Sequence, residues 1–140
     1  MISKELSETL GHAVKEAKKR RHEYVGTEHL LFAIMHDNTG IDIIENCGGN
    51  IDNLSHSLEN YFKMRVESVP EGVKYVLQQT TGFQRVIQRA FNQARSSEKQ
   101  EVEVGDILAA IFDEKDSYAE YFLSLEGVSQ IGRTSCRERV

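Results

Sequence analysis

The densest group of residues that could do chemistry lies between positions 22 and 29. Two imidazoles and two carboxylates fall within eight residues, in the order His22-Glu23-Tyr24-Val25-Gly26-Thr27-Glu28-His29. Such side chains could bind zinc, or could act as a general acid and base. The order HExxxxEH is not a recognised spacing for zinc ligands on a helix, and we expect a turn inside it. Structural capping and a docking surface for a partner are the other interpretations.

The rest of the chain contains no recognised catalytic motif. There is no phosphate loop of the form GxxxxGK[ST], no GxGxxG, no GxSxG and no HExxH. The two cysteines, Cys47 and Cys136, do not have the spacing of metal ligands. We therefore expect that this chain is not an enzyme, that it has no catalytic residues and that it holds no cofactor.

The elements that must position this cluster occur twice in the sequence. Apolar residues of the first two predicted helices recur 77 positions later, and one inserted residue then shifts the register in the third helix. This pattern indicates an internal duplication of a helical unit. The matched pairs include Leu6/Phe83, Leu10/Ile87, Ala13/Ala90, Val14/Phe91, Ala17/Ala94, Leu30/Ile107, Leu31/Leu108, Ile34/Ile111, Ile44/Phe122, Cys47/Leu125 and Gly49/Gly127.

Apolar spacing predicts an all-α fold of two pseudo-twofold-related repeats, each with about four short helices. In the first repeat we expect Ser3 and Thr27 to be helix N-caps. Pro70 and Gly72 interrupt the helical pattern and indicate a linker. The predicted helices cover residues 4–20, 28–36, 40–47, 51–63, 81–95, 105–112 and 117–126.

The predicted domain organisation follows from these helices. Residues 1–63 form the first repeat, 64–80 the linker and 81–130 the second repeat, which we expect to lack its last helix. Residues 131–140 have no apolar period and reverse the local charge, which is typical of an expression-vector tail.

The charge of the chain argues against nucleic acid as a partner. The net charge is −5, and without residues 131–140 there remain 14 basic and 21 acidic residues. Phosphate binding needs the opposite balance. The sequence has no run long enough to span a membrane and no signal-peptide core. We expect a monomeric, cytoplasmic domain without nucleic-acid or membrane partners.

The polar residues of the two repeats differ more than the apolar residues do. Glu23 is replaced by Gln100 in the second repeat, and Glu28 is replaced by Gly105. An acidic pair that occurs in only one repeat is better explained by a specific partner than by packing. The first repeat is therefore the better candidate for a binding function.

Three segments resemble the Clp N-terminal domain, a double repeat found in front of AAA+ unfoldase modules. They are Val25-Gly26-Thr27-Glu28-His29-Leu30-Leu31, Phe83-Gln84-Arg85-Val86-Ile87-Gln88-Arg89-Ala90, and Asp106-Ile107-Leu108-Ala109-Ala110-Ile111-Phe112. The second of these is similar to the ClpA branch in particular. The resemblance covers about residues 1–130. The GTEH motif occurs only in the first repeat, unlike the ClpC branch, where both repeats carry such a motif.

The resemblance implies a recognition module of an ATP-dependent Clp protease. It implies docking of protein substrates and of the ClpS adaptor, which delivers N-degron proteins; ATP and ClpP would belong to the parent hexamer. By the same resemblance, the adaptor-binding residues are Glu23, Glu28, Thr80, Thr81 and Arg85.

A second interpretation comes from the cluster itself. The loop from His22 to His29 could instead form a regulatory site for zinc or a small ligand, with His22 and His29 as the zinc ligands.

Overall fold

The computed structural model describes residues 1–128. Within this range the regular structure is mostly helical, which confirms the predicted fold class. No helix of the range is both long and apolar enough to cross a lipid bilayer. The elements are α1 (Lys4–Lys19), β1 (Tyr24–Val25), α2 (Thr27–Ile34), α3 (Asn38–Asn46), α4 (Ile51–Arg65), β2 (Gln78–Gln79), α5 (Thr81–Ser96), α6 (Val104–Phe112) and α7 (Tyr118–Leu125).

The first helices of the two repeats, α1 and α5, begin in the same way. The hydroxyl of Ser3 accepts a hydrogen bond from the backbone N–H of Leu6 at 3.0 Å. The hydroxyl of Thr80 accepts the equivalent bond from Phe83 at 3.0 Å. Each cap satisfies a backbone donor that has no partner inside its helix. The apolar stripes of α1 and α5 then pack on α2 and α6, whose side chains are almost all buried in the core.

The repeats are joined by reciprocal backbone contacts. The N–H of Ser3 donates to the carbonyl of Val102 at 3.0 Å, and the N–H of Thr80 donates to the carbonyl of Val25 at 3.1 Å. Thus the residue that caps the first helix of each repeat is bonded to the loop of the other repeat. These two equivalent hydrogen bonds follow the pseudo-twofold symmetry that the duplicated sequence predicts.

The linker between the repeats is tied to the first repeat by a short strand pair. β2 runs parallel to β1, with Tyr24 opposite Gln78 and Val25 opposite Gln79. The Arg21 side chain donates hydrogen bonds to the carbonyls of Val69, Pro70 and Val73 in the same segment. α4 extends two residues beyond the predicted end at residue 63. The linker is therefore held against the loop that contains the His22–His29 cluster.

Two predictions made from the sequence are wrong, one for the N-cap of α2 and one for the register of the third helices. The N-cap of α2 is Gly26 rather than Thr27, which is the first helical residue.

The register of the third helices differs from the predicted one. The bond from the N–H of Gly49 to the carbonyl of Ile44 is matched by a bond from Val128 to Leu123. Gly48 and Gly127 follow these helices with φ values of +90° and +80°. These pairs are 79 positions apart. The third helix is therefore shifted by two residues rather than one. The predictions for residues 129–140 lie outside the described residues.

Candidate docking site

The strand pair brings the predicted contact residues of the two repeats to one surface. The N–H of Gln78 donates to the carbonyl of Glu23 at 2.9 Å, and Thr80 follows directly after β2. Glu23 and Thr81 are exposed, and Thr80 is half-buried. Arg85 lies one helical turn after Thr81, on the same side of α5. We call Glu23, Thr80, Thr81 and Arg85 the strand-pair surface.

The carboxylate of Glu23 has no side-chain or backbone partner among residues 1–128. In the described part of the chain it takes part in no hydrogen bond and no ion pair. Two apolar side chains are exposed nearby along the strand pair and the linker, Tyr24 at 47% and Val76 at 77%. An unpaired charge beside exposed apolar groups suits a protein interface, in which a charged rim surrounds apolar contacts.

Arg85 is exposed, but hydrogen bonds to the buried side chain of Glu114 hold its guanidinium in place. The buried carboxylate of Glu114 accepts hydrogen bonds from Nε of Arg85 at 3.1 Å and from Nη1 of Arg89 at 3.3 Å. The hydrogen bond from Arg85 holds the pKa of Glu114 below its usual range, against the opposing effect of burial. Because one carboxylate orients both arginines, Arg85 presents a fixed cation at the strand-pair surface.

Glu28 does not lie on this surface as an exposed contact. It is only 9% exposed. Its Oε2 accepts hydrogen bonds from the hydroxyl of Thr27 at 2.9 Å and from the backbone N–H of Ala119 at 3.2 Å. The hydroxyl of Tyr61 donates to Oε1 at 3.5 Å. Burial raises the pKa of Tyr61, and the negative charge of Glu28 raises it further.

The side chain of Glu28 in α2 contacts α4 through Tyr61 and α7 through Ala119, so it connects helices of both repeats. Ala119 lies in the first turn of α7, where backbone N–H groups lack helical partners and the helix dipole favours a negative charge. A Cβ atom on Gly26 would lie 3.3 Å from Oε1 of Glu28 and 3.4 Å from Cγ2 of Thr80. Glu28 therefore lies directly beneath the strand-pair surface and supports it.

The two histidines of the cluster bond to each other in the core. Nδ1 of His22 and Nε2 of His29 are 2.8 Å apart, and Nδ1 of His29 accepts from the N–H of Gly26 at 3.1 Å. The ring of Phe62 stacks on His29 with centroids 4.7 Å apart. Burial lowers the pKa of His29 to about 3 and also lowers the pKa of His22. The pair is therefore neutral at pH 7.

The second repeat has an ion pair at the equivalent positions. Lys99 and Asp106 stand 77 positions after His22 and His29. Nζ of Lys99 donates to Oδ2 of Asp106 at 2.6 Å, and the N–H of Glu103 donates to the same oxygen at 2.9 Å. In both repeats, the pair at these positions accepts a hydrogen bond from the N–H of the residue that caps the second helix.

This correspondence favours a structural role for the histidine pair over a metal site. Three of the four ring nitrogens of His22 and His29 are engaged within the protein. Residues 1–128 contain no group of three or more side chains placed to hold a metal ion.

Comparison with known proteins gives a consistent result. A family model described as the Clp repeat (R) N-terminal domain matches residues 1–125. The chain is 34% identical over 133 residues to the ClpA homolog protein of Fuscovulum blasticum, an alignment that covers 92% of the chain and 16% of that relative. The structure superposes on the Hsp104 N-terminal domain of Candida albicans with a TM-score of 0.81 at 12% identity, covering 96% of this chain and 87% of that chain. It superposes on the N-terminal domain of ClpD from Arabidopsis thaliana with a TM-score of 0.74 at 18% identity, covering 99% and 93% respectively.

The structural similarities concern the fold alone, because their sequence identities are low. The chain spans only 16% of the length of the ClpA homolog that it matches. The family model, in contrast, covers most of the chain and both repeats. The chain therefore belongs to the Clp repeat N-terminal domain family.

Proposed function

We propose that this chain is the N-terminal docking domain of a ClpA-like ATP-dependent unfoldase. Its partners are protein substrates and a ClpS-like adaptor that delivers N-degron proteins. ATP binding, and proteolysis through ClpP, belong to the parent hexamer in the cytoplasm. The proposal rests on the family of the chain and on one observation: the carboxylate of Glu23 on the strand-pair surface is exposed and has no partner within the described residues.

The strand-pair surface has properties that a partner could recognise. Glu23 offers a free negative charge, and Thr80 and Thr81 place hydroxyl groups at the start of α5. Arg85 adds a cation whose direction is set by Glu114. Opposite charges at separate points of one surface fix the orientation of a partner as well as attract it.

The five predicted contact residues have different roles in this proposal. Glu23, Thr80, Thr81 and Arg85 contact the adaptor. Glu28 supports the strand-pair surface without contacting the adaptor, because its carboxylate is buried and accepts a hydrogen bond from the first turn of α7.

Charge reversal of Glu23 should weaken adaptor binding. In Glu23→Lys the free carboxylate becomes a cation, so an attraction to a basic adaptor group is replaced by repulsion. We expect a dissociation constant for ClpS that is about tenfold higher than that of the unchanged chain. Isothermal titration calorimetry of ClpS into the chain measures this, and circular dichroism verifies the fold of the variant.

Glu45→Lys is the matched control, since it changes the net charge by the same amount. Glu45 is exposed at the end of α3, where a cation is favourable to the helix dipole, and α3 is not part of the strand-pair surface. Its affinity for ClpS should stay unchanged. If Glu23→Lys is folded and binds ClpS as tightly as the control, Glu23 is not an adaptor contact.

The isolated chain should hydrolyse neither ATP nor peptides. The sequence has no phosphate loop, and the two histidines of the cluster are buried and bonded to each other. A coupled phosphate-release assay and a fluorogenic peptide assay test this. Turnover that persists after repurification, at constant specific activity, would contradict a role in docking alone.

A further inference from the structure

A groove lies between α1 and α2, and none of the four residues of the strand-pair surface lines it. It is a cavity of about 270 Å³ in the first repeat. Its floor is the half-buried ring of Phe32 together with Ala33. Its rim carries His12, Lys15 and Lys19 from α1 and His36 after α2. We call this cavity the α1–α2 groove.

The second repeat has a cavity on the same side of its first helix, where the cations are Arg85 and Arg89, both paired with Glu114. That cavity has a volume of about 510 Å³ and is lined by α5. Its residues Asn92 and Ser96 correspond to Lys15 and Lys19, which stand 77 positions earlier. By the same offset Phe32 is replaced by Ala109. Both lysines and the aromatic floor are thus properties of the first repeat alone.

In the described part of the chain, the lysines of the α1–α2 groove are available to a partner. Lys15 and Lys19 are exposed, and within residues 1–128 neither forms an ion pair. Among the described residues that line the groove, the one carboxylate is Glu16, which is already paired with Nε of Arg20 at 2.7 Å. The guanidinium of Arg20 also lies over the Phe32 ring, 5.4 Å from its centroid. The groove therefore carries excess positive charge on a chain whose net charge is −5.

We propose that the α1–α2 groove binds an acidic polypeptide segment that carries an apolar side chain. Lys15 and Lys19 are one helical turn apart and can contact neighbouring carboxylates of the segment. The apolar side chain packs on Phe32 and on the methylene stems of the lysines. An acidic peptide suits the groove better than nucleic acid does, because the remainder of the acidic chain repels a phosphate backbone.

Fluorescence anisotropy with a defined probe tests this proposal. The probe is a short fluorescein-labelled peptide of aspartates with a central phenylalanine, titrated with the full chain at low ionic strength. We expect saturable binding. The double variant Lys15→Gln/Lys19→Gln should raise the dissociation constant about fivefold or more, because each exposed charge pair contributes modestly.

Lys4→Gln/Lys18→Gln is the matched control, because it removes two exposed cations of α1 that do not line the groove. Its dissociation constant should change less than about twofold. A peptide with serine in place of the phenylalanine should bind more weakly than the probe.

Three results would overturn the proposal. They are an equal loss of binding in the two double variants, equal binding of the serine peptide, and no saturable binding of the probe. The experiment contains no adaptor and does not involve the strand-pair surface. Its failure therefore leaves the proposed adaptor site standing, and the failure of the adaptor site leaves the groove standing.

Discussion

Acidification from pH 7 to pH 5 should lower the free energy of unfolding of this chain by about 2 kcal/mol. The cause is His29, whose pKa is about 3 in the folded chain because the imidazole is buried. In the unfolded chain an imidazole has a pKa near 6.5. Between these two values the unfolded state binds a proton that the folded state does not. Stability is therefore full above the unfolded pKa and declines as the pH falls below it.

The pH window separates this effect from that of the carboxylates. The pKa of His22 is also lowered by burial, so His22 acts in the same direction as His29. The pKa of Glu114 is lowered chiefly by its hydrogen bond from Arg85, below an ordinary value of 4.5. The stabilisation that ionised Glu114 provides is therefore present above pH 4.5. It is lost as the pH falls from there through the lower pKa of the folded chain. A loss of stability between pH 6.5 and pH 5 therefore reports on the histidine pair.

Urea denaturation at several pH values measures this dependence. In His29→Gln the side chain no longer titrates, while glutamine at the third helical position can still accept the bond from Gly26. This variant should lose less stability on acidification than the unchanged chain. His56→Gln removes an exposed histidine of α4 and should leave the slope unchanged. Equal slopes for His29→Gln and the unchanged chain would show that His29 is not the origin of the pH dependence.

The fold could be predicted largely from the sequence because its core is duplicated. Leu6 and Phe83 mark apolar stripes with helical spacing, and each stripe must be buried. The register of the third helices was not predictable in the same way. Ile43 and Ile44 are adjacent apolar residues, so shifts by one or two positions both match apolar residues of α7. The buried Leu123 and its bond from Val128 decide between them.

The site was predictable only where sequence neighbours are also spatial neighbours. The contact of Glu23 with the linker follows from a strand pair of two residues, which is too short to leave a sequence pattern. The role of Glu28 depends on Ala119, which is 91 positions away. Glu114 is one of three acidic residues in the four positions after α6, and its pairing with Arg85 depends on how α5 packs on α6. Tertiary contacts of this kind are not visible in local spacing.

Truncation of Glu28 should destabilise the chain by about 2–4 kcal/mol at pH 7. In Glu28→Ala the buried N–H of Ala119 and the hydroxyl of Thr27 lose their acceptor. An unsatisfied buried donor costs about 1–3 kcal/mol, and hydrogen bonds to a charged group are stronger than neutral ones. The loss also weakens the contact between α2 and α7, which belong to different repeats.

Two further variants distinguish a structural role of Glu28 from a direct contact between Glu28 and the adaptor. Glu28→Gln keeps an acceptor oxygen for Ala119 and should lose less stability than Glu28→Ala. Glu23→Ala removes an exposed carboxylate without partners in the described chain, and its stability should stay within about 0.5 kcal/mol of the unchanged value. Urea denaturation gives the three stabilities, and calorimetry with ClpS gives the affinities of the folded variants. Unchanged stability of Glu28→Ala together with lost ClpS affinity would mean that Glu28 opens to the surface and contacts the adaptor directly.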